Sequence, residues 1–201
     1  TGGLRVGVSE GILKECLVEQ GVRNKFEIEE YWHAFSPSFK NFFCWLNGEA
    51  LSNDINEKEL FHSFMLSDTF DENLITKLNI KDYVCEFKWD GIRAQVVVSN
   101  FGKIYSRNGE DITNSFPELN ITSNKVSVID GELVVKKNGK ILSFNDLQKR
   151  IGRKKVNSRI LDEYPVHFLA YDILFMQDSD CRNLNLSSRK KKLESLLKIL
   201  N

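Results

Sequence analysis

Glu86-Phe87-Lys88-Trp89-Asp90-Gly91-Ile92-Arg93 sets an amine, two carboxylates and a guanidinium within one short stretch. It lies between two runs rich in β-branched and aromatic residues, Tyr83 to Phe87 and Ile92 to Ser99, and both read as strands. A lysine at the end of an apolar strand, followed by an Asp-Gly turn and an arginine, stands at the mouth of a sheet. Gly91 lets the backbone bend there or come close to a ligand. An amine so placed could be a nucleophile. The same residues could equally form a hairpin turn whose Lys and Arg face water.

Four further segments carry chemistry. Ser106-Arg107-Asn108-Gly109-Glu110 ends a strand with an arginine beside a turn. Asp130-Gly131-Glu132 interrupts the apolar run Val126 to Val135, where two carboxylates are costly unless they meet a ligand, a metal or a cation. Ala170-Tyr171-Asp172 puts an aromatic ring and a carboxylate inside a third apolar run. Lys149-Arg150-Ile151-Gly152-Arg153-Lys154-Lys155 is a dense basic segment. Each has an ordinary explanation alone: a solvated strand end, an edge bulge, a core tyrosine, a wet helix face. Their joint order is what counts.

The elements that must position these groups divide the chain. Thr1 to about Ser52 reads as helices. Ser9 caps a first helix with Ile12, Leu13, Cys16 and Leu17 on one face and Gly21 as its stop. A second is expected from Ile28 to Phe35 and a third from Ser38 to Leu46. Glu49 to Glu72 is acid-rich and reads as a connection. Strands then follow: Ile92 to Ser99 and Lys103 to Arg107 about a tight turn, and Val126 to Lys136 and Lys140 to Ser143 about Asn138-Gly139, which suits a type I′ hairpin. Phe144 to Ile151 reads as a short helix and Val166 to Phe175 as a central strand. Ser187 caps a last helix bearing Leu193, Leu196, Leu197 and Leu200. The fold class is α+β, a helical N-terminal segment followed by an antiparallel sheet with packed helices.

Composition narrows the function classes. Twenty-eight cations balance twenty-eight anions, so any nucleic-acid contact must come from local patches. The four cysteines are far apart and form no metal-type pair, which argues for a reducing compartment and against a zinc site. No apolar run suffices for a membrane span and no signal peptide opens the chain. The chain starts at Thr1 rather than Met and is read as a piece of a longer protein.

The series Glu-x-Lys-x-Asp-Gly-x-Arg, Ser-Arg-Asn-Gly, Asp-Gly-Glu and Ala-Tyr-Asp resembles that of the ATP-dependent DNA ligases, within the covalent nucleotidyltransferases. Thr1 to Gly7 is similar to the end of their helical DNA-binding domain, and Phe144 to Lys154 to the linking helix of the bacterial type. The resemblance implies two units, 1–58 from the helical domain with its linker and 59–201 from the adenylation domain. The family's downstream glutamate motif, Lys-x-Lys motif and oligonucleotide-binding-fold domain do not occur before Asn201, so the chain is expected to be cut inside the adenylation domain.

It implies the chemistry too. Lys88 is the nucleophile that takes AMP from ATP. Glu86 accepts from the adenine amine, Tyr171 stacks on adenine, Arg93 and Arg107 hold ribose and phosphate oxygens, and Glu132 contacts the ribose and helps place Mg²⁺ or Mn²⁺. Partial burial behind Phe87 and Trp89 is expected to keep the Lys88 amine neutral. Lys149, Arg153 and Lys154 would follow the DNA backbone. The implied partners are ATP and nicked double-stranded DNA, with no membrane, in a monomer acting at the bacterial nucleoid in the cytoplasm. Alternatives are an RNA ligase or capping-type nucleotidyltransferase, which need no helical N-terminal segment, and a catalytically inert DNA-binding fragment.

Overall fold

A computed structural model describes residues 7–35, 39–51, 55–67, 69, 71–153 and 155–200. Three helices come first: α1 (Glu10–Gln20), α2 (Lys25–Tyr31) and α3 (Phe39–Leu46). Ser9 caps α1 by accepting from the Ile12 N–H at 3.3 Å, and the helix stops at Gly21. The apolar face expected of α1 is only partly used: Leu17 and Val18 pack inward while Ile12 and Leu13 are exposed. The second helix begins earlier than its apolar pattern indicates. Asn24 and Glu27 form a reciprocal capping box, each bond 2.9 Å, that satisfies the first-turn amides and fixes the start at Lys25. Its partner α3 contributes Phe42, Trp45 and Leu46, which close with Ile28 and Phe35 into one aromatic core, Tyr31 stacking on Trp45 at 4.9 Å. The expected start of α3 at Ser38 lies outside the described residues, as does most of the Thr1–Gly7 segment.

The sheet follows. Its strands are β1 (Ile92–Val98), β2 (Lys103–Ser106), β3 (Ser127–Lys137), β4 (Lys140–Ile141), β5 (Val166–Met176) and β6 (Ser179–Asp180), in the order β2-β1-β3-β5-β6 with β4 paired to β3. All pairings are antiparallel. The central strand is thus β3, not β5, because β3 carries ladders on both long sides while β5 gives its outer edge to the two residues of β6. The β3–β4 hairpin turns at Asn138 and Gly139 with φ of 51° and 79°, the type I′ geometry that matches strand twist.

Both sheet faces are covered. One holds Ala94, Val96, Ile104, Ile129, Leu133 and Ile173 under α4 (Phe144–Gln148) and α6 (Leu186–Leu200), with Leu147, Leu193 and Leu196 as their contributions. Such residues stabilise by about 1.5–3 kcal/mol each when fully buried. Helix α6 is capped by Asn185, whose side chain accepts from the Ser188 N–H at 2.8 Å, rather than by Ser187. A fifth helix, α5 (Ser158–Glu163), precedes β5.

The other face is covered by the acid-rich connection itself. Leu60 to Ser63 are buried, and Phe61 packs on Val97, Tyr105, Val128 and Leu174. The fully buried Gln95 amide accepts from the His62 N–H at 3.1 Å and donates to its carbonyl. Glu30 of α2 accepts from the Ser63 N–H at 2.7 Å and pairs with Arg182, so helices and sheet meet through this segment.

Tyr83 to Phe87 is not a strand. Residues 83–89 have no regular structure and no ladder partner among the described residues, and 83–90 are exposed. High β-propensity without a neighbour to pair with does not make a strand.

Candidate functional site

The β1–β3 register sets Arg93 opposite Glu132 and Gln95 opposite Asp130, on one sheet face because alternate residues share a side. Arg93 grips Asp130 with two bonds, Nε to Oδ1 at 3.2 Å and Nη2 to Oδ2 at 2.7 Å, and also donates to the Met65 carbonyl at 2.8 Å. Its guanidinium lies 4.4 Å from the Phe64 ring centroid and 6.0 Å from that of Tyr171. Asp130 is 1% exposed. Burial pushes its carboxyl above the ordinary range, and Arg93 pulls it back part-way. The two carboxylates that look expensive in sequence are therefore compensated: Asp130 by Arg93, and Glu132 by the Gly91 N–H and the charge of Arg93. Burial still holds the Glu132 carboxyl above its usual value.

Two glycines allow this closeness. A Cβ on Gly91 would stand 2.2 Å from the Leu133 carbonyl oxygen, and one on Gly131 would stand 2.4 Å from the Phe168 ring. Gly91 thus brings the backbone against β3 and not into a hairpin turn. Tyr171 sits where the β3–β5 register shifts between Asp130 and Gly131, a bulge that leaves it without a counterpart on β3. Burial, with the Asp130 charge beside it, pushes its phenol well above the usual range.

The remaining predicted residues are dispersed. Glu86 is exposed and ion-paired with Lys190 of α6, which also donates to the Tyr171 carbonyl. Lys88 is exposed and makes no hydrogen bond or ion pair among the described residues. The expected burial behind Phe87 and Trp89 is absent: the two rings lie 5.3 Å apart, but Phe87 is 83% exposed. The reason is the missing strand, which would have turned alternate side chains inward.

Arg107 is exposed and lines a cavity of about 490 Å³ with Ser9, Lys14, His33, Phe64 and Glu110. Phe64 joins that cavity to Arg93, but no contact links Arg107 to Lys88 among the described residues.

In the basic segment, Arg150 is fully buried, bonding Glu118 at 2.7 and 2.8 Å, the Tyr164 carbonyl at 2.7 Å and the Ser115 carbonyl at 2.8 Å. Lys149 pairs with Asp146 at 2.8 Å and the Tyr164 hydroxyl at 2.9 Å, and Arg153 donates to the Lys149 carbonyl. Lys154 lies outside the described residues.

Sequence reasoning missed four participants. Asp130 was visible as half of Asp-Gly-Glu, but its claim on Arg93 depends on a register that sequence does not carry. Phe64 and Met65 sit in a stretch with no periodicity. Lys190 belongs to the run Arg189-Lys190-Lys191-Lys192, which reads as a wet helix face.

An antiparallel sheet flanked by helices, with an Arg-carboxylate-tyrosine cluster on one face behind an exposed lysine loop, is an arrangement suited to nucleotidyl transfer. Residues 64–201 match the model of the ATP dependent DNA ligase domain, and the chain belongs to that family. It is 30% identical to a probable DNA ligase of Koribacter versatilis over 98% of this chain and 34% of the relative. It is 28% identical to a DNA ligase of Pyrobaculum arsenaticum over 98% of this chain and 35% of the relative. The chain therefore spans about a third of the length of these relatives. A solved structure, "mycobacterial DNA ligase D complexed with ATP and MES", aligns with 56% of this chain and 36% of its own, at 28% identity and a TM-score of 0.45.

Proposed function

We propose that the chain is the part of an ATP-dependent DNA ligase that forms the lysyl-AMP intermediate, with an adenylation unit beginning near residue 59. The Lys88 amine attacks the α-phosphorus of ATP, a P–N bond forms, and the bond to pyrophosphate breaks. The lysine proton passes to the solvent around the exposed loop. AMP then moves to the 5′-phosphate of a nick, and the 3′-hydroxyl displaces it to seal the strand in repair, replication or recombination. The single observation that carries this reading is the cluster of Arg93, Asp130, Glu132 and Tyr171 on one sheet face, next to the loop that bears Lys88 and Glu86.

Each role has a physical basis. Tyr171, kept protonated by burial with the Asp130 charge beside it, offers its ring to adenine. Glu86 accepts from the adenine amine. Arg93 is fixed by Asp130, so its preset guanidinium faces ribose and phosphate oxygens at little entropic cost. Arg107 serves the phosphates from the neighbouring cavity. Among the described residues no cluster of three or more His, Cys, Asp or Glu forms a closed metal cage. The half-buried carboxylate of Glu132 is the group that would hold a Mg²⁺, an ion that needs few protein ligands. Bound there, it would supply charge neutralisation for the phosphates. Lys149, Arg153 and Lys154 follow the backbone of nicked duplex DNA, in a monomer working in the bacterial cytoplasm. No helix among the described residues is long and apolar enough to cross a membrane.

The helices α1–α3 favour a DNA ligase over a capping-type enzyme. The test is full-length protein with α-labelled ATP, Mg²⁺ and nicked duplex, read on denaturing gels. Label on protein and a ligated strand are expected. Their absence with active controls overturns the reading.

A further inference from the structure

Among the described residues the loop from Tyr83 to Asp90 has no strand partner, yet Lys190 ties it to the sheet. Lys190 Nζ donates both to Glu86 Oε1 and to the backbone carbonyl of Tyr171. The two residues it joins are the two that the proposed function gives to adenine.

The fold explains why Lys190 can reach them. Asn185 caps α6 and starts it beside β5. Arg189 then fixes the first turn by gripping Asp172, Nε to Oδ1 at 2.8 Å and to Oδ2 at 3.1 Å. The next residue on the helix meets the preceding residue on the strand. Two adjacent cations thus hold two adjacent β5 residues, and only Lys190 extends beyond them to the loop. Its side chain is 26% exposed, against 49% for Glu86, so the cation is the more enclosed member of the pair.

We infer that Lys190 is a positioning residue for nucleotide selection: it holds the Glu86 carboxylate beside Tyr171, so that hydrogen bonding to the base edge and stacking on its face act on one base. Lys190 itself touches neither the reacting phosphorus nor the nucleophile. An ammonium suits the task because its three donors can serve a backbone oxygen and a carboxylate oxygen together. Holding Glu86 this way also orients the loop that carries Lys88, two residues on. This rests on the proposed function for the identity of the base, while the tether itself does not.

The experiment uses the full-length protein with Lys190→Ala, Lys190→Arg, Glu86→Gln and the double variant Glu86→Gln/Lys190→Ala. Lysyl-nucleotide formation is measured with ATP and with GTP. Lys190→Ala is expected to raise the KM for ATP about tenfold with kcat within about threefold, and to lower ATP-over-GTP preference by a similar factor. Lys190→Arg should restore most of both, since it keeps charge and donors. The double variant should be no worse than Glu86→Gln, because the two residues act as one unit. A Lys190→Ala protein with unchanged KM and preference, or additive losses in the double variant, would overturn the inference.

Limited trypsin digestion provides a readout independent of catalysis. Cleavage after Lys88 should be several-fold faster in Lys190→Ala, with thermal unfolding unchanged. An equal cleavage rate shows that no tether exists. If the wild type forms no lysyl-AMP, the proposed function fails while the digestion still decides the tether.

Discussion

Arg93 and Lys88 belong to one motif and stand in opposite environments. Arg93 is gripped by Asp130, bonded to the Met65 carbonyl and set between the Phe64 and Tyr171 rings. Lys88 is exposed in a segment without a ladder partner among the described residues. The basic segment repeats the contrast, with Arg150 buried among four acceptor atoms while Lys149 and Arg153 make their bonds at the surface. Arg93 and Arg150 are satisfied by partners within the fold, and Lys88, the proposed nucleophile, has no such partner among the described residues. A buried arginine without acceptors would cost several kcal/mol, so the fold must supply its partners. An exposed lysine costs nothing to leave unpaired, and an unpaired side chain is open to a phosphorus once its proton has passed to solvent.

The largest expected effect tests the scaffold side. Arg150→Ala should lower stability by about 3–5 kcal/mol, because it leaves Glu118 and two carbonyls unpaired. Lys88→Ala should change stability by less than about 0.5 kcal/mol. Urea unfolding of both checks the contrast, and equal losses would erase it. Tyr171→Ala comes next. Loss of stacking should weaken ATP binding by about 1–3 kcal/mol, by analogy with base stacking on aromatic side chains. Tyr171→Phe, which keeps the ring and loses only the hydroxyl, should cost less. Titration calorimetry separates them, and equal affinity in all three proteins would place adenine elsewhere.

A smaller effect concerns His62 beneath the sheet. Burial lowers its pKa from 6.5, with Glu30 and Asp180 opposing and Arg182 assisting, and its Nδ1 donates to the Leu60 carbonyl at 2.9 Å. The unfolded state therefore takes up the proton first as pH falls. Its stabilising contribution is complete above 6.5 and is lost as pH falls through that value towards the folded pKa. Stability should fall by up to about 1.4 kcal/mol per pH unit in that window. His62→Gln should flatten the slope in urea titrations at pH 5.5 and 7.5 by about that amount. The smallest effect is on DNA. Replacing Lys149, Arg153 and Lys154 with Ala should reduce the salt slope of nick binding by about one unit per lost phosphate contact. An unchanged slope would make these residues an ordinary wet surface.

Much of the scaffold was legible. Strand runs around Asn138-Gly139, the α1 cap at Ser9 and the leucine stripe of α6 are local patterns whose period is written in the chain. The errors arise where a partner decides. Tyr83 to Phe87 has strand residues but no ladder partner among the described residues, and β3 is central because of the ladders it makes with both neighbours; the Asn24–Glu27 cap that starts α2 is by contrast a local pattern that the apolar period passes over. The site was legible as a set of residue types and not as contacts. Asp130 on Arg93, Gly91 against Leu133 and Lys190 on Glu86 all depend on register and helix placement.

The central claim is that the exposed loop carries the nucleophile and the paired cations do not. The direct measurement is peptide mass spectrometry of full-length protein incubated with ATP and Mg²⁺, beside its Lys88→Arg variant. Arginine keeps the charge and is not deprotonated in proteins, so it cannot attack. The account predicts one AMP adduct, on the peptide containing Lys88, and none on the variant. An adduct on another lysine, or one that survives Lys88→Arg, would contradict it.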